Sequence, residues 1–245
     1  MAKWLKYILL ILGLSACVGY AGYTYIEGRK LDNDKICKGI EISIFDKQNK
    51  ALISEKEVIQ FLNEKEITPI GKFYRKIKTK KIEDVLEKHL MIRNAECYKM
   101  PDGKLRIEIE QRSPILKIMC DGNYYVDDLR KTIPVSSNFT AYVPVASGRI
   151  DKKMATGELC DFAIFLSKDS FWNNQIDQIY VSDSMKVYLV PRVGNQTIVL
   201  GNFDRFEKKL EKLKKLYLYG FNKTGWNQYK TIDLQYKNQV VCSKK

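Results

Sequence analysis

Glu108 and Glu110 are the residues whose type and spacing come nearest to chemistry. They lie two apart in the alternating run Leu105 to Gln111 and so share one face of a predicted strand. Two carboxylates on one face could serve as the acid and base of a glycosidase. Arg106 and Arg112 occupy the same face on either side of them. A row of alternating sign reads instead as a solvated face or an ion-pair ladder.

The single histidine, His89, stands seven residues after Ile82 on the apolar side of a predicted helix. No serine or cysteine motif accompanies it, so it reads as a satisfied, part-buried side chain and not as a base. The six cysteines (Cys17, Cys37, Cys97, Cys120, Cys160 and Cys242) include no C-x-x-C pair, which argues against a zinc site or a redox motif. G-x-S-x-G, Walker A, G-x-G-x-x-G and H-E-x-x-H do not occur. The sequence thus leads to no catalytic residue, no cofactor and no metal, and to a binding role.

The formal net charge of +13 favours anionic partners. The lysines read as scattered, and no nucleic-acid-binding signature accompanies them, so no nucleic acid is expected. A solvated surface near an anionic membrane is the simpler reading. Tyrosine outnumbers phenylalanine, 15 to 10, which leans toward sheets and contact surfaces.

The elements that must carry such a binding surface follow from periodicity. Leu5 to Ile26 is almost wholly apolar, with Lys6 its one charge. At about 1.5 Å per residue it reaches roughly 33 Å, the thickness of a hydrocarbon core. It is read as a transmembrane helix through the lipid bilayer, with residues 1–4 as a short tail and 27–37 as a stalk. Leu14-Ser15-Ala16-Cys17 also resembles a lipobox, which keeps open an envelope lipoprotein or membrane-tethered cell-wall-binding protein or enzyme lipidated at Cys17. Charge alone does not set the orientation.

Ile40 to Ile44 alternates as a strand. Ser54 to Glu57 is a capping box, with Ile53 and Val58 placed as a staple. The helix behind it is expected to bury Val58, Ile59, Phe61 and Leu62. A second helix from about Thr79 directs Ile82, Val85, Leu86, His89 and Leu90 inward. Ile92 to Lys99, the turn Pro101-Asp102-Gly103 and the run from Leu105 form a hairpin. A strand–helix–helix–strand–strand unit at 38–113 results.

Past Pro114 the pattern is of short strands. It is interrupted by a helix capped by Asp151, with Leu159, Phe162, Ala163 and Leu166 at i, i+3, i+4, i+7. A second helix is expected to be capped by Asn202, with Phe203, Phe206, Leu210, Leu213 and Tyr217 as its stripe. Ile232 to Tyr236 alternates close to the C-terminus. If it lies at a sheet edge, its free backbone groups would template a partner strand.

Four patches in this order resemble the FtsQ/DivIB family of bacterial division proteins. Ile107-Glu108-Ile109-Glu110-Gln111-Arg112-Ser113-Pro114-Ile115 is similar to V-x-E-R-x-P-x. Tyr124-Tyr125-Val126-Asp127 resembles the family's aromatic-aromatic-hydrophobic-Asp strand, and Val143 to Gly148 its L-P-x-x-x-G. Ile232 to Asn238 resembles I-D-L-R-Y-x-N. Arg130 stands where the family often has Gly. The resemblance implies an α+β protein: one transmembrane helix, a POTRA domain at 38–113, and a mostly antiparallel β domain with flanking helices at 114–245. It implies a divisome scaffold that supports septal cell-wall synthesis, in the inner membrane, with its N-terminus in the cytoplasm, its bulk in the periplasm, and enrichment at the septum. The implied partners are division proteins of FtsB and FtsL type, with other divisome membrane proteins at the POTRA domain. The contact strand would comprise Thr231, Ile232, Asp233, Leu234, Gln235, Tyr236, Lys237, Asn238 and Val240.

Overall fold

The computed structural model describes residue 4 and residues 12–24, 35–45, 52–120, 122–135, 139–221, 225–226 and 228–245. The chain divides into two compact units: residues 1–45 with Ile53–Gln111, and residues 46–52 with Arg112–Lys245.

In the first unit, residues 12–24 are helical (α1), and every side chain along them is exposed. Among the described residues no helix is long and apolar enough to cross a membrane. The remainder of the 5–26 span, most of the 27–37 stalk and the turn expected at 46–50 lie outside the described residues.

Strand β1 is Gly39–Phe45, α2 Glu55–Glu64 and α3 Thr79–Leu86, followed by β2 Ile92–Lys99 and β3 Lys104–Gln111. The sheet order is β1-β3-β2, with β3 parallel to β1 and antiparallel to β2. The capping box forms as expected: Glu57 N donates to Ser54 Oγ, and Ser54 N to Glu57. Val58, Leu62, Ile82 and Leu86 share one core with Leu105, Ile107 and Ile109 of β3. Of the expected core residues Phe61, Val85 and His89 are half-buried, and two are exposed: Ile59 at 37% and Leu90 at 58%. Leu90 falls outside because α3 ends at Leu86, four residues before it.

In the second unit nine strands form one sheet. They are β4 Pro114–Met119, β5 Tyr124–Asp127, β6 Thr132–Pro134, β7 Val145–Gly148, β8 Ile176–Val181, β9 Val187–Pro191, β10 Thr197–Gly201, β11 Tyr229–Asp233 and β12 Val241–Lys244. Their order is β12-β11-β10-β9-β8-β7-β4-β5-β6. Antiparallel pairs outnumber parallel ones. Gly157 divides the helix capped by Asp151 into α4 (Lys152–Thr156) and α5 (Glu158–Lys168). Leu159, Phe162, Ala163 and Leu166 are all buried, as their spacing predicts. After a short α6 (Ser170–Gln175) comes α7, Phe206–Lys215, which runs on into a π-helical turn at Leu216–Phe221. The N-terminal cap position of α7 is Arg205, not Asn202, whose side chain turns to Asp204 and Lys209.

Candidate functional site

The expected contact strand is an interior one. Strand β11 runs parallel to β10 through Thr197↔Thr231 and Ile198↔Ile232. On its other side it runs antiparallel to β12 through Thr231↔Ser243, Ile232↔Cys242 and Asp233↔Val241. Its backbone groups are therefore engaged on both flanks, and the sheet edge belongs to β12. Lys245 N donates to Gln228 O at 3.2 Å. The alternation of an antiparallel ladder then turns the backbone groups of Cys242 and Lys244 away from β11, toward solvent. Val241 is 40% exposed, and Ser243 and Lys244 are exposed. Cys242 packs on the core, and burial pushes its thiol up.

The residues expected at the contact divide into three groups. Thr231, Ile232 and Asp233 lie on β11, with Ile232 fully buried. Leu234 is 0% exposed, and its N–H donates to Val199 O at 2.9 Å. Gln235, Tyr236, Lys237 and Asn238 are exposed in the connection to β12, and Val240 leans on the core. The alternation of Ile232 and Leu234 thus marks an inward face, not a partner-facing one.

That connection is held by Lys212 of α7. Its ammonium donates to Leu234 O (3.3 Å), Tyr236 O and Gln239 O (3.2 Å). Asp233 Oδ1 accepts from Gln235 N at 2.9 Å, which tightens the turn from the other side. Gln235 lies across Gly201, where an added Cβ would come within 2.6 Å of Gln235 Cγ. Arg205, Lys208, Lys209 and Lys212 face Lys237 around a cleft of about 160 Å³ beside this turn. Lys209 is itself spoken for: it donates to Leu200 O, Asn202 O and Asn202 Oδ1, and burial lowers its pKa. Periodicity does not reveal Lys209 or Lys212, which sit on the polar side of a helix. Strand β12 had a signal, the β-prone Val240-Val241-Cys242 after the turn-forming Lys237-Asn238.

The patches Ile107–Ile115 and Tyr124–Asp127 meet. Arg112 Nη1 lies 2.8 Å from Asp127 Oδ2, with Asp127 1% exposed. Asp127 Oδ1 also accepts from Leu129 N (3.0 Å) and Lys131 N (2.6 Å), so one carboxylate closes the β5–β6 turn. Arg130 in that turn has φ +62°, the left-handed backbone that glycine adopts most easily. Its guanidinium reaches Asp161 Oδ1 at 2.5 Å and Thr156 O at 3.1 Å. In Val143–Gly148, Gly148 has φ +96°, and a Cβ there would lie 2.0 Å from Val181 O.

Residues 113–243 match the family described as FtsQ/DivIB, C-terminal related. The chain belongs to that family. Residues 35–110 of this FtsQ/DivIB-type chain match a POTRA-like domain. No curated protein matches it in sequence.

On the POTRA-like sheet, Arg106 and Glu110 take part in the ladder expected there. Arg106 pairs with Glu41 at 2.8 Å and Arg93 approaches Glu110 at 3.9 Å, while Arg112 leaves the row for Asp127. His89 Nδ1 accepts from Met91 N at 3.3 Å, and its ring stands edge-on to Phe61 at 4.8 Å. Burial lowers its pKa, against the pull of Glu57. No disulfide joins any two of the six cysteines, and burial raises the Cys97 thiol to about 12. Among the described residues no group of His, Cys, Asp and Glu is placed to hold a metal ion.

Proposed function

We propose that this chain is a non-catalytic scaffold of the bacterial divisome, and that it captures division proteins of FtsB and FtsL type by strand addition along β12. The observation that carries the proposal is the free edge of β12, with its outward backbone groups at Cys242 and Lys244. Main-chain bonds along that edge supply affinity. The side chains of Val241, Ser243 and Lys244 supply selectivity, and the basic cleft beside the β11–β12 turn favours a partner segment that carries carboxylates. The exposed Gln235, Tyr236, Lys237 and Asn238 extend this surface, whereas Ile232 and Leu234 serve it from within. Other divisome membrane proteins dock on the POTRA-like domain, and septal cell-wall synthesis is the process served.

In this reading residues 5–26 span the inner membrane once, with the N-terminus in the cytoplasm and the bulk in the periplasm at the septum. The apolar run continues past Cys17 through Val18, Gly19, Tyr20, Ala21 and Gly22, which favours a span over a lipidated N-terminus at that cysteine. Lys244→Pro removes one outward N–H and leaves the pairing with β11 in place, since residues 241 and 243 face β11. The full-length protein with Lys244→Pro is expected to lose capture of the FtsB-type partner in a pull-down, while Lys244→Ala keeps it. Capture by Lys244→Pro at wild-type strength would overturn the edge assignment.

A further inference from the structure

Some of the lysines that read as scattered stand together in the POTRA-like domain. Residues 72–81, Lys-Phe-Tyr-Arg-Lys-Ile-Lys-Thr-Lys-Lys, hold six cations and no acid. Lys80 is engaged with Glu83 and Asp84 at 3.6 and 3.2 Å. Lys72, Lys76, Lys78 and Lys81 line one cleft of about 270 Å³ and are exposed. Its floor is apolar, from Ile77 and Ile82, and Glu66 is the one acid on its wall. No carboxylate among the described residues forms an ion pair with these four lysines.

Backbone bonds tie this tract to the chain that leaves α1. Cys37 N donates to Lys72 O (3.0 Å), Tyr74 N to Lys35 O (2.9 Å) and Gly71 N to Cys37 O (2.8 Å). Ile36 and Phe73 form an antiparallel bridge. Residues 25–34, ten in all, lie between this point and the last described residue of α1. At about 3.5 Å per residue they reach no farther than ~35 Å, which limits how far the tract can lie from the apolar helix. Two apolar side chains stand exposed beside the cations: Ile36 at 47% and Ile70 at 49%. Cations interleaved with exposed aliphatics suit a headgroup layer, where ammonium meets phosphate and the aliphatic side chain enters the acyl boundary.

We infer that the Lys72–Lys81 face of the POTRA-like domain lies on the bilayer and binds acidic phospholipid headgroups, fixing the domain against the membrane that holds its anchor. This rests on the membrane span of the proposed function. The test uses the full-length protein in lipid nanodiscs of phosphatidylcholine alone or with phosphatidylglycerol, with amine-reactive labelling of each lysine read by mass spectrometry. Labelling of Lys72, Lys76, Lys78 and Lys81 is expected to fall about threefold or more on the acidic discs and to recover in high salt, with Lys168 and Lys186 unchanged. Equal labelling on both kinds of disc would overturn the inference. So would the same protection on phosphatidylcholine discs with free inorganic phosphate, which would mark a small-anion site. Failure of the membrane reading is distinguishable, because the chain would then not enter either disc.

Discussion

Asp127 shows how much one side chain can be asked to hold. It is 1% exposed, pairs with Arg112, and accepts two backbone N–H groups of the turn after β5. Asp127→Ala leaves the Arg112 guanidinium largely buried and unpaired, with two turn donors unmet. The expected loss is about 3 kcal/mol of stability, read as a lower urea midpoint. Gly148 is the steric counterpart. Gly148→Ala meets both a left-handed φ and the Val181 carbonyl, so a loss of at least about 2 kcal/mol is expected in the same measurement. Both residues sit in motif patches, and the structure supplies a physical reason for each.

At the scale of elements, α7 does two things. Its apolar stripe, with Leu210 and Leu213 buried, fastens it to the sheet, and Lys212 on its other side holds the β11–β12 connection. Lys212→Met keeps most of the aliphatic stem but releases three carbonyls. The expected result is faster amide exchange across residues 234–240 and weaker partner capture, with Leu210 and Leu213 amides still protected. The pairing of α2 with the turn after α3 makes a pH prediction. Burial holds the folded pKa of His89 below its ordinary 6.5, so the unfolded chain takes up the proton first. Stability of the POTRA-like domain is therefore complete above about pH 6.5. It falls as the pH drops through that value and levels off below the folded pKa. A urea midpoint followed by the domain's own amide signals should decline from about pH 7 to 5.5 in the wild type and stay flatter in His89→Gln.

For the whole molecule, the +13 charge is not evenly spread. One concentration is the Lys72–Lys81 tract, bonded to residues 35–37, and another is the cleft beside the β11–β12 turn. Each unit thus carries its own charged surface. A scaffold in which one unit faces lipid and the other faces a partner strand would need such a division. It also needs the bulk of the chain outside the cytoplasm. A reporter fused after Lys245 should be active only when exported; activity inside the cell would reverse the orientation.

Local order is legible in the sequence. The capping box at Ser54, the hairpin around Asp102-Gly103 and the inward stripe from Leu159 to Leu166 follow from patterns within a dozen residues, because caps, turns and helical periodicity are set by near neighbours in the chain. The family resemblance was legible for the same reason, in four short patches. What the tertiary structure alone decided was where those pieces end up. Ile232 and Leu234 alternate as an edge strand would, but whether β11 is an edge depends on β10, some thirty residues earlier, and on β12 after it. Arg112 belongs by spacing with Glu110, until the chain folds and brings it to Asp127. The segment at residues 35–37 meets residues 71–74 only when the chain folds. Each of these is a long-range pairing, and no local period encodes it.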